Sequence, residues 1–340
     1  MIIKTPKFWF KNRNEINPIL YTLKPFSKIW EVVTKLRLVN GLWEKMPIPV
    51  VCIGNITVGG SGKTPVTMAL QLLLKDMGIR ACVVSRGYGG KNKYPHYVTK
   101  NDTFCKVGDE PIILSKKGAV IVSKVKKNGI LKAYQDGFDM VLLDDGFQNS
   151  KINKDLSLVV VDSEVLFGNE FIFPLGPLRE PISSGLSRAD AIILVGNNHK
   201  NTHKIDSLRK ENNIPVLKGC INKKKKSTNN KNKEVLAFSG IAFPDKFFKT
   251  LRDMGYTVIK TKVFPDHYPY TLKDMIKLKN YAENYGLKLI TTEKDIVRVP
   301  KRFHEFIDII QIEFQFKNSE KIKEMIKKLL NLKLIFLNLI

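Results

Sequence analysis

Residues 49–67, PVVCIGNITVGGSGKTPVT, combine the side chains and backbone freedom needed to hold a polyphosphate. An apolar run, Val50-Val51-Cys52-Ile53, predicts a buried strand, and the apolar periodicity from Val66 to Leu74 predicts a helix. Between them lie Gly54, Gly59, Gly60, Ser61 and Gly62, followed by Lys63 and Thr64. Glycines let successive amides converge on phosphate oxygens, and the helix N-terminus adds its positive field. Gly59, Gly60, Ser61, Gly62, Lys63 and Thr64 are therefore the expected phosphate ligands. Lys63 reaches the outer phosphates, and the Thr64 hydroxyl is a ligand for Mg²⁺. The strict phosphate-loop pattern has glycine five residues before Gly62, where this chain has Thr57.

Other clusters supply further chemistry. In Leu142-Leu-Asp-Asp-Gly-Phe-Gln148 an apolar strand ends in two acids. Beside a phosphate loop, such an acid binds Mg²⁺ directly or through water, which makes Asp144 and Asp145 metal candidates. Adjacent strand residues face opposite ways, so the pair should divide its work. The strand at residues 80–85 runs into Arg86, placing a guanidinium at the carboxyl edge of the sheet, where ligands of α/β folds bind. Asp109 and Glu110 sit in a turn ahead of a helix, and taken alone would read as capping residues. His267, in Phe264-Pro-Asp-His-Tyr268, is flanked by turn residues and aromatics and could reach a substrate.

The elements that must position these groups alternate strand and helix from residue 48 to about 230. That order predicts a doubly wound, mostly parallel α/β sheet. A second and smaller α/β unit is expected over residues 231–318, carrying His267. The Lys/Asn/Ser/Thr-rich stretch 222–233 reads as the boundary between the two, with Lys223–Lys226 in a solvated loop. The expected division is therefore 1–45, 46–230, 231–318 and a helical, apolar tail at 319–340. Over residues 18–43 a helical pattern puts Phe26, Ile29, Trp30, Val33 and Leu36 on one face, with Lys28, Glu31, Thr34 and Lys35 opposite. That pattern suits either an in-plane membrane helix or an amphipathic helix packed on its own domain.

Composition narrows the partners. The 340 residues carry 57 Lys+Arg against 32 Asp+Glu, a formal net charge of +25. An anionic partner follows: a phosphorylated substrate, an acidic membrane surface or nucleic acid. No aromatic-and-basic nucleic-acid module is visible, so nucleic acid is not expected. The four cysteines form no CxxC pair, which argues against zinc and disulfides and fits a reducing cytoplasm. No cleavable signal and no run of about 18 apolar residues is present.

Taken together, Gly54-Asn-x-x-x-Gly-Gly-x-Gly-Lys-Thr64, Ser85-Arg-Gly-Tyr-Gly89, Gly108-Asp-Glu-Pro111, Asp144-Asp-Gly-Phe-Gln148, Pro174-Leu-Gly-Pro-Leu-Arg-Glu180, Phe238-Ser-Gly-Ile-Ala242, Phe264-Pro-Asp-His-Tyr268 and Thr291-Thr-Glu-Lys-Asp295 resemble the motif series of the tetraacyldisaccharide 4′-kinase family. The motifs fall in family order over about residues 18–315, and the family's loop has the form seen at Thr57. The resemblance implies transfer of the ATP γ-phosphoryl group to the 4′-hydroxyl of tetraacyldisaccharide 1-phosphate, giving lipid IVA in lipid A biosynthesis. The expected place is the cytoplasmic face of the inner membrane, with the N-terminal helix engaging the bilayer and no obligate protein partner. It also implies an Asp109–His267 dyad that activates the sugar hydroxyl, Glu180 as a further Mg²⁺ ligand, and Arg86 and Arg179 on phosphates. Two other classes predict different behaviour. A kinase of small soluble metabolites would need no lipid, and a nucleic-acid-stimulated nucleotidase would bind with a steep salt dependence.

Overall fold

The structure is a computed structural model that describes residues 6–11, 15, 17–196, 202–226 and 234–337. Among these residues, twelve strands form one sheet. They are β1 (Val50–Gly54), β2 (Ala81–Ser85), β3 (His96–Tyr97), β4 (Ala119–Val122), β5 (Met140–Asp144), β6 (Leu156–Asp162), β7 (Ala191–Val195), β8 (Val216–Lys226), β9 (Glu234–Ser239), β10 (Thr257–Val263), β11 (Lys288–Thr292) and β12 (Ile307–Phe316). Their order is β10-β9-β11-β12-β8-β7-β6-β1-β5-β2-β4-β3. From β4 to β8 every neighbouring pair is parallel, and so is every pair from β10 to β12.

The two parallel blocks meet along one antiparallel seam, β8 against β12. Here the expected solvated loop is corrected. Lys223–Lys226 belongs to β8 and pairs in register with Ile312 through Ile309 of β12. Backbone pairing with β12 outweighs the weak strand preference of lysine, and the Lys223 and Lys224 side chains are exposed, so this end of β8 carries its charge in solvent. The rest of the 222–233 stretch, from 227 on, lies outside the described residues.

Alternation along β1 explains the layers. Val50 and Cys52 point into one core, with Ile130, Ala133 and Ile192. Val51 and Ile53 point into the other, with Val66, Leu70 and Leu74. A strand buried on both faces has to be apolar throughout, and β1 is buried at all five positions. Helix Lys63–Asp76 covers the second face, joined by Ile322 and Ile326 of the C-terminal helix Glu320–Leu337. Helix Lys126–Gln135 covers the first. The second block repeats the arrangement, with Leu236 and Phe238 to one side and Val235 and Ala237 to the other.

The N-terminal helix is Lys24–Val39. It lies on the surface, and of its residues only Ser27 and Leu38 are buried. Phe26, Ile29, Val33, Leu36 and Val39 are each more than half exposed. Of the two readings of this helix, burial of its apolar face against its own domain is not what the structure shows. Among the described residues, no helix is long and apolar enough to cross a membrane.

Candidate active site

The loop after β1 runs along the segment 174–180. Thr57 forms an antiparallel bridge with Leu178, and the Val58 amide donates to Pro177 O at 2.7 Å. Thr57 is thus in extended backbone, which any residue adopts, so the departure from glycine there costs nothing. Gly62 is different. Its φ of +87° lies in the left-handed region, and it caps helix Lys63–Asp76. Among the described residues no side chain caps that helix, so its N-terminus is open to an anion. The Ser61 hydroxyl and Asn55 Oδ1 are buried without a partner among the described residues. Orphaned buried polar atoms are rare in folded chains, and these two belong to the phosphate loop itself. Phe243 of the second block stands over Gly59 and Gly60, within 3.5–3.6 Å of where a Cβ would lie.

β5 delivers the two acids at its carboxyl end, and they separate as alternation requires. Asp144, the last strand residue, is buried and accepts from Ser85 Oγ at 3.0 Å. Burial, then the neighbouring Glu110 carboxylate, pushes its carboxyl up to about 6. Asp145 has left the strand with φ +47°. It faces Lys63 Nζ at 3.5 Å and Arg179 Nη1 at 3.1 Å. Burial opposes its ionisation, but Lys63 and then Arg179 hold its carboxyl well below the usual range. Lys126 holds the bend from behind: its buried ammonium donates to Asp144 O and, at 2.8 Å, to Asp145 O. No motif marked this lysine in the sequence, because its target is main chain.

Glu180 is 1 % exposed and paired with Arg188. It also accepts from Gln148 Nε2 at 3.0 Å, while Gln148 Oε1 accepts from Arg179 Nη1 at 3.1 Å. Glu180 therefore joins Asp145 through Gln148 and Arg179. Arg86 sits exposed at the end of β2, as its strand-edge position implies.

Asp109 begins the helix Asp109–Leu114 directly after Gly108, whose φ is +88°. A Cβ at Gly108 would lie 2.6 Å from Tyr88 O, so both conformation and space require glycine. His267 reaches Asp109 from the second block, Nδ1 to Oδ2 at 2.8 Å. The two residues lie 158 apart in sequence. Burial works against a charged imidazole, but the Asp109 carboxylate beside it raises His267 above its ordinary value. Burial likewise opposes ionisation of Asp109, and His267 and Arg298 outweigh it, holding the acid down. The next residue, Glu110, accepts from Thr64 Oγ1 at 3.3 Å and pairs with Lys294 of the second block. Asp109 and Glu110, readable alone as capping residues, are thus the joint between phosphate loop and histidine. Arg298, absent from the sequence-derived candidates, lies with Nε 3.3 Å from Asp109 Oδ2.

A phosphate loop joined to a carboxylate–imidazole pair is the equipment of a phosphoryl transferase acting on a hydroxyl. The family model described as tetraacyldisaccharide-1-P 4′-kinase matches residues 19–331. The chain belongs to that family. A tetraacyldisaccharide 4′-kinase of Rhodospirillum centenum is 35 % identical over 97 % of each chain, and one of Dinoroseobacter shibae is 38 % identical over 88 % of this chain and 89 % of its own. The crystal structure of the Aquifex aeolicus family member in complex with ATP matches with a TM-score of 0.71 at 28 % identity, covering 92 % of this chain and 99 % of that one. The chain is an ATP-binding kinase that phosphorylates the 4′-hydroxyl of tetraacyldisaccharide 1-phosphate, a step of lipid A biosynthesis.

Proposed function

We propose that the residues gathered at the carboxyl ends of β1, β5 and β2 hold ATP, and that Asp109 and His267 prepare the sugar hydroxyl. The supporting observation is the continuity of contacts from Thr64 through Glu110 and Asp109 to His267. In this reading the amides of Gly59 to Gly62, the Ser61 hydroxyl and Lys63 neutralise the β- and γ-phosphates. Arg179 and Arg86 steady the outer phosphates. Because Lys63 and Arg179 both lie on Asp145 here, this acid stores their positions until a phosphate competes for them.

The residues fit a bound Mg²⁺. Among the described residues no cluster of three His, Cys, Asp or Glu could hold a metal by itself. That is the usual situation for Mg²⁺, which takes one or two protein oxygens and completes its shell with phosphate and water. Thr64 and Asp144 are the oxygens that suit it, and a carboxyl raised by burial and a neighbouring acid gains most from a cation. Asp145 and Glu180 have cationic partners and would join through water or by releasing Lys63 and Arg188. When bound, Mg²⁺ would offset charge on the transferring phosphoryl group. The protein's own share is to align the hydroxyl and accept its proton, which the Asp109–His267 dyad does as a unit. Since Asp109 is held ionised, the shared hydrogen belongs to His267 Nδ1, leaving Nε2 as the ring's free acceptor.

The helix Lys24–Val39 is read as the membrane-engaging segment, at the cytoplasmic face of an anionic inner membrane. Leu23, Phe26, Ile29, Trp30, Phe173 and Pro174 line an apolar groove of about 490 Å³. Trp30 Nε1 donates to Arg179 O at 3.1 Å, so this groove adjoins the residue that pairs with Asp145. An acyl chain in the groove and a phosphate at Arg179 would belong to one amphiphile. Exposed aliphatic and aromatic side chains beside lysines suit the headgroup boundary. Leu36→Asp should reduce co-sedimentation with phosphatidylglycerol vesicles while leaving ATP binding intact; unchanged sedimentation would remove the helix from this role. For the dyad, His267→Asn and Asp109→Asn should each depress kcat with the KM for ATP nearly unchanged, and near-normal turnover of either would defeat it.

A further inference from the structure

Arg298 is 2 % exposed and reaches from the second block to an acid of the first. Its guanidinium has five donors in a fixed plane, and they are distributed with little slack. Nη2 donates to Asp295 Oδ1 at 2.7 Å and Gly240 O at 3.0 Å, and Nη1 to Tyr268 O at 3.3 Å. Nε donates to Lys294 O at 3.3 Å and lies 3.3 Å from Asp109 Oδ2. That carboxylate oxygen is the one His267 uses.

The anchor beneath it is overdetermined. Asp295 is fully buried and accepts from Ser239 Oγ, the Gly240 amide, Tyr270 OH and Thr292 Oγ1, all within 2.7–2.9 Å, besides Arg298. Apart from Tyr270, these partners come from the Phe238-Ser-Gly and Thr291-Thr-Glu-Lys-Asp motifs, for which the phosphoryl-transfer reading provides no contact with either substrate. Arg298 also bonds Tyr268 O, in the turn that carries His267 in the left-handed conformation, φ +57°. One side chain thus fixes both members of the dyad, the carboxylate directly and the histidine through its turn.

We propose that Arg298 is a positioning residue for phosphoryl transfer, holding Asp109 and the His267 turn in register from the Asp295 anchor. The inference rests on the dyad reading above. The charged groups facing the dyad are Arg298 and Lys294 on the cationic side, and Asp266, with Oδ2 3.9 Å from His267 Nε2, and Glu110 on the anionic side. Removing the guanidinium leaves two acids and one lysine. Both dyad members then hold a proton more tightly, so the acidic limb of the kcat–pH profile should move to higher pH.

The test is a double-mutant cycle in the full-length protein, read by steady-state kinetics with ATP and tetraacyldisaccharide 1-phosphate. Because Arg298→Gln alone leaves Asp295 buried without its cation, the parent is Asp295→Asn, in which Arg298→Gln leaves neither charge of that pair behind. In this parent, Arg298→Gln should lower kcat by roughly 10–100-fold with the KM for ATP within about twofold, and move the acidic limb upward. Arg298→Lys should keep the limb in place, since the charge survives. In an Asp109→Asn background the Arg298→Gln loss should disappear, because the group it acts through is gone. An equal fold-loss with and without the Asp109 carboxylate, or kcat unaltered in the parent, would overturn the positioning role. If Asp109→Asn alone leaves turnover intact, the dyad reading fails instead, which the same cycle distinguishes.

Discussion

The two carboxylate centres of this site are built in opposite ways. Around Asp144 and Asp145 the supporting groups come from one parallel block: Ser85 ends β2, Lys63 opens the helix after β1, and Lys126 opens the helix after β4. Around Asp109 they come from the far side of the β8–β12 seam: His267, Arg298 and, through Glu110, Lys294. The first centre is complete within one block and suits a nucleotide site that persists through turnover. The second exists only while the blocks are held together, so under the proposed dyad role chemistry at the hydroxyl would depend on their relative position.

The contrast can be broken at either centre. The largest effect is expected from Lys63→Ala, which removes the cation proposed to bind the phosphates and takes from Asp145 its Lys63 partner, leaving the Arg179 pair. Turnover should fall by about 10³-fold or more, with a large rise in the KM for ATP. His267→Asn should cost about 10²–10⁴-fold in kcat and leave ATP binding near normal. If His267→Asn instead raised the KM for ATP as Lys63→Ala does, the two centres would not be separable. The retained His267 of the native enzyme should place the acidic limb of kcat above pH 6.5, the ordinary imidazole value, since the Asp109 carboxylate raises it.

Asp144 allows a test through stability. Its folded carboxyl titrates at about 6, above the unfolded value near 3.9. Between those values the native state binds more protons, so stability falls as pH rises from about 4 to 6. Asp144→Asn should therefore stabilise the metal-free, nucleotide-free protein by on the order of 1–3 kcal/mol at pH 8, an advantage that vanishes toward pH 4, while lowering turnover. Thermal unfolding at pH 8 and 4.5 checks this; an Asn variant less stable at pH 8 would contradict it. The smallest effect is expected at Thr57→Gly. It loosens an extended bridge to Leu178 and should cost about 0.5–1 kcal/mol, with turnover nearly intact.

Legibility followed the same division. The β1 strand, the glycine turn, Lys63, Thr64 and the two acids after β5 could be read because apolar runs and turn residues are local signals. Asp109, Glu110 and His267 were legible mainly as parts of a motif series, since nothing local separates a catalytic acid from a capping residue. Lys126 and Arg298 escaped. One binds main-chain oxygens and the other a partner far away in sequence, and neither relation leaves a trace in spacing. The lysine run at 223–226 misled in the other direction. Composition there favours a loop, while the pairing offered by β12 makes it strand. The exposed face of helix Lys24–Val39 was visible in its periodicity, but only the structure decides whether that face is covered.

The most direct test of the account is transfer of labelled γ-phosphate from ATP to tetraacyldisaccharide 1-phosphate in detergent micelles, with Lys63→Ala and His267→Asn alongside. The account predicts a labelled lipid from the native protein, almost none from Lys63→Ala, and a slow but ATP-saturable reaction from His267→Asn. Native-level transfer by His267→Asn would contradict the dyad spanning the seam, and absence of labelled lipid from the native protein would contradict the account as a whole.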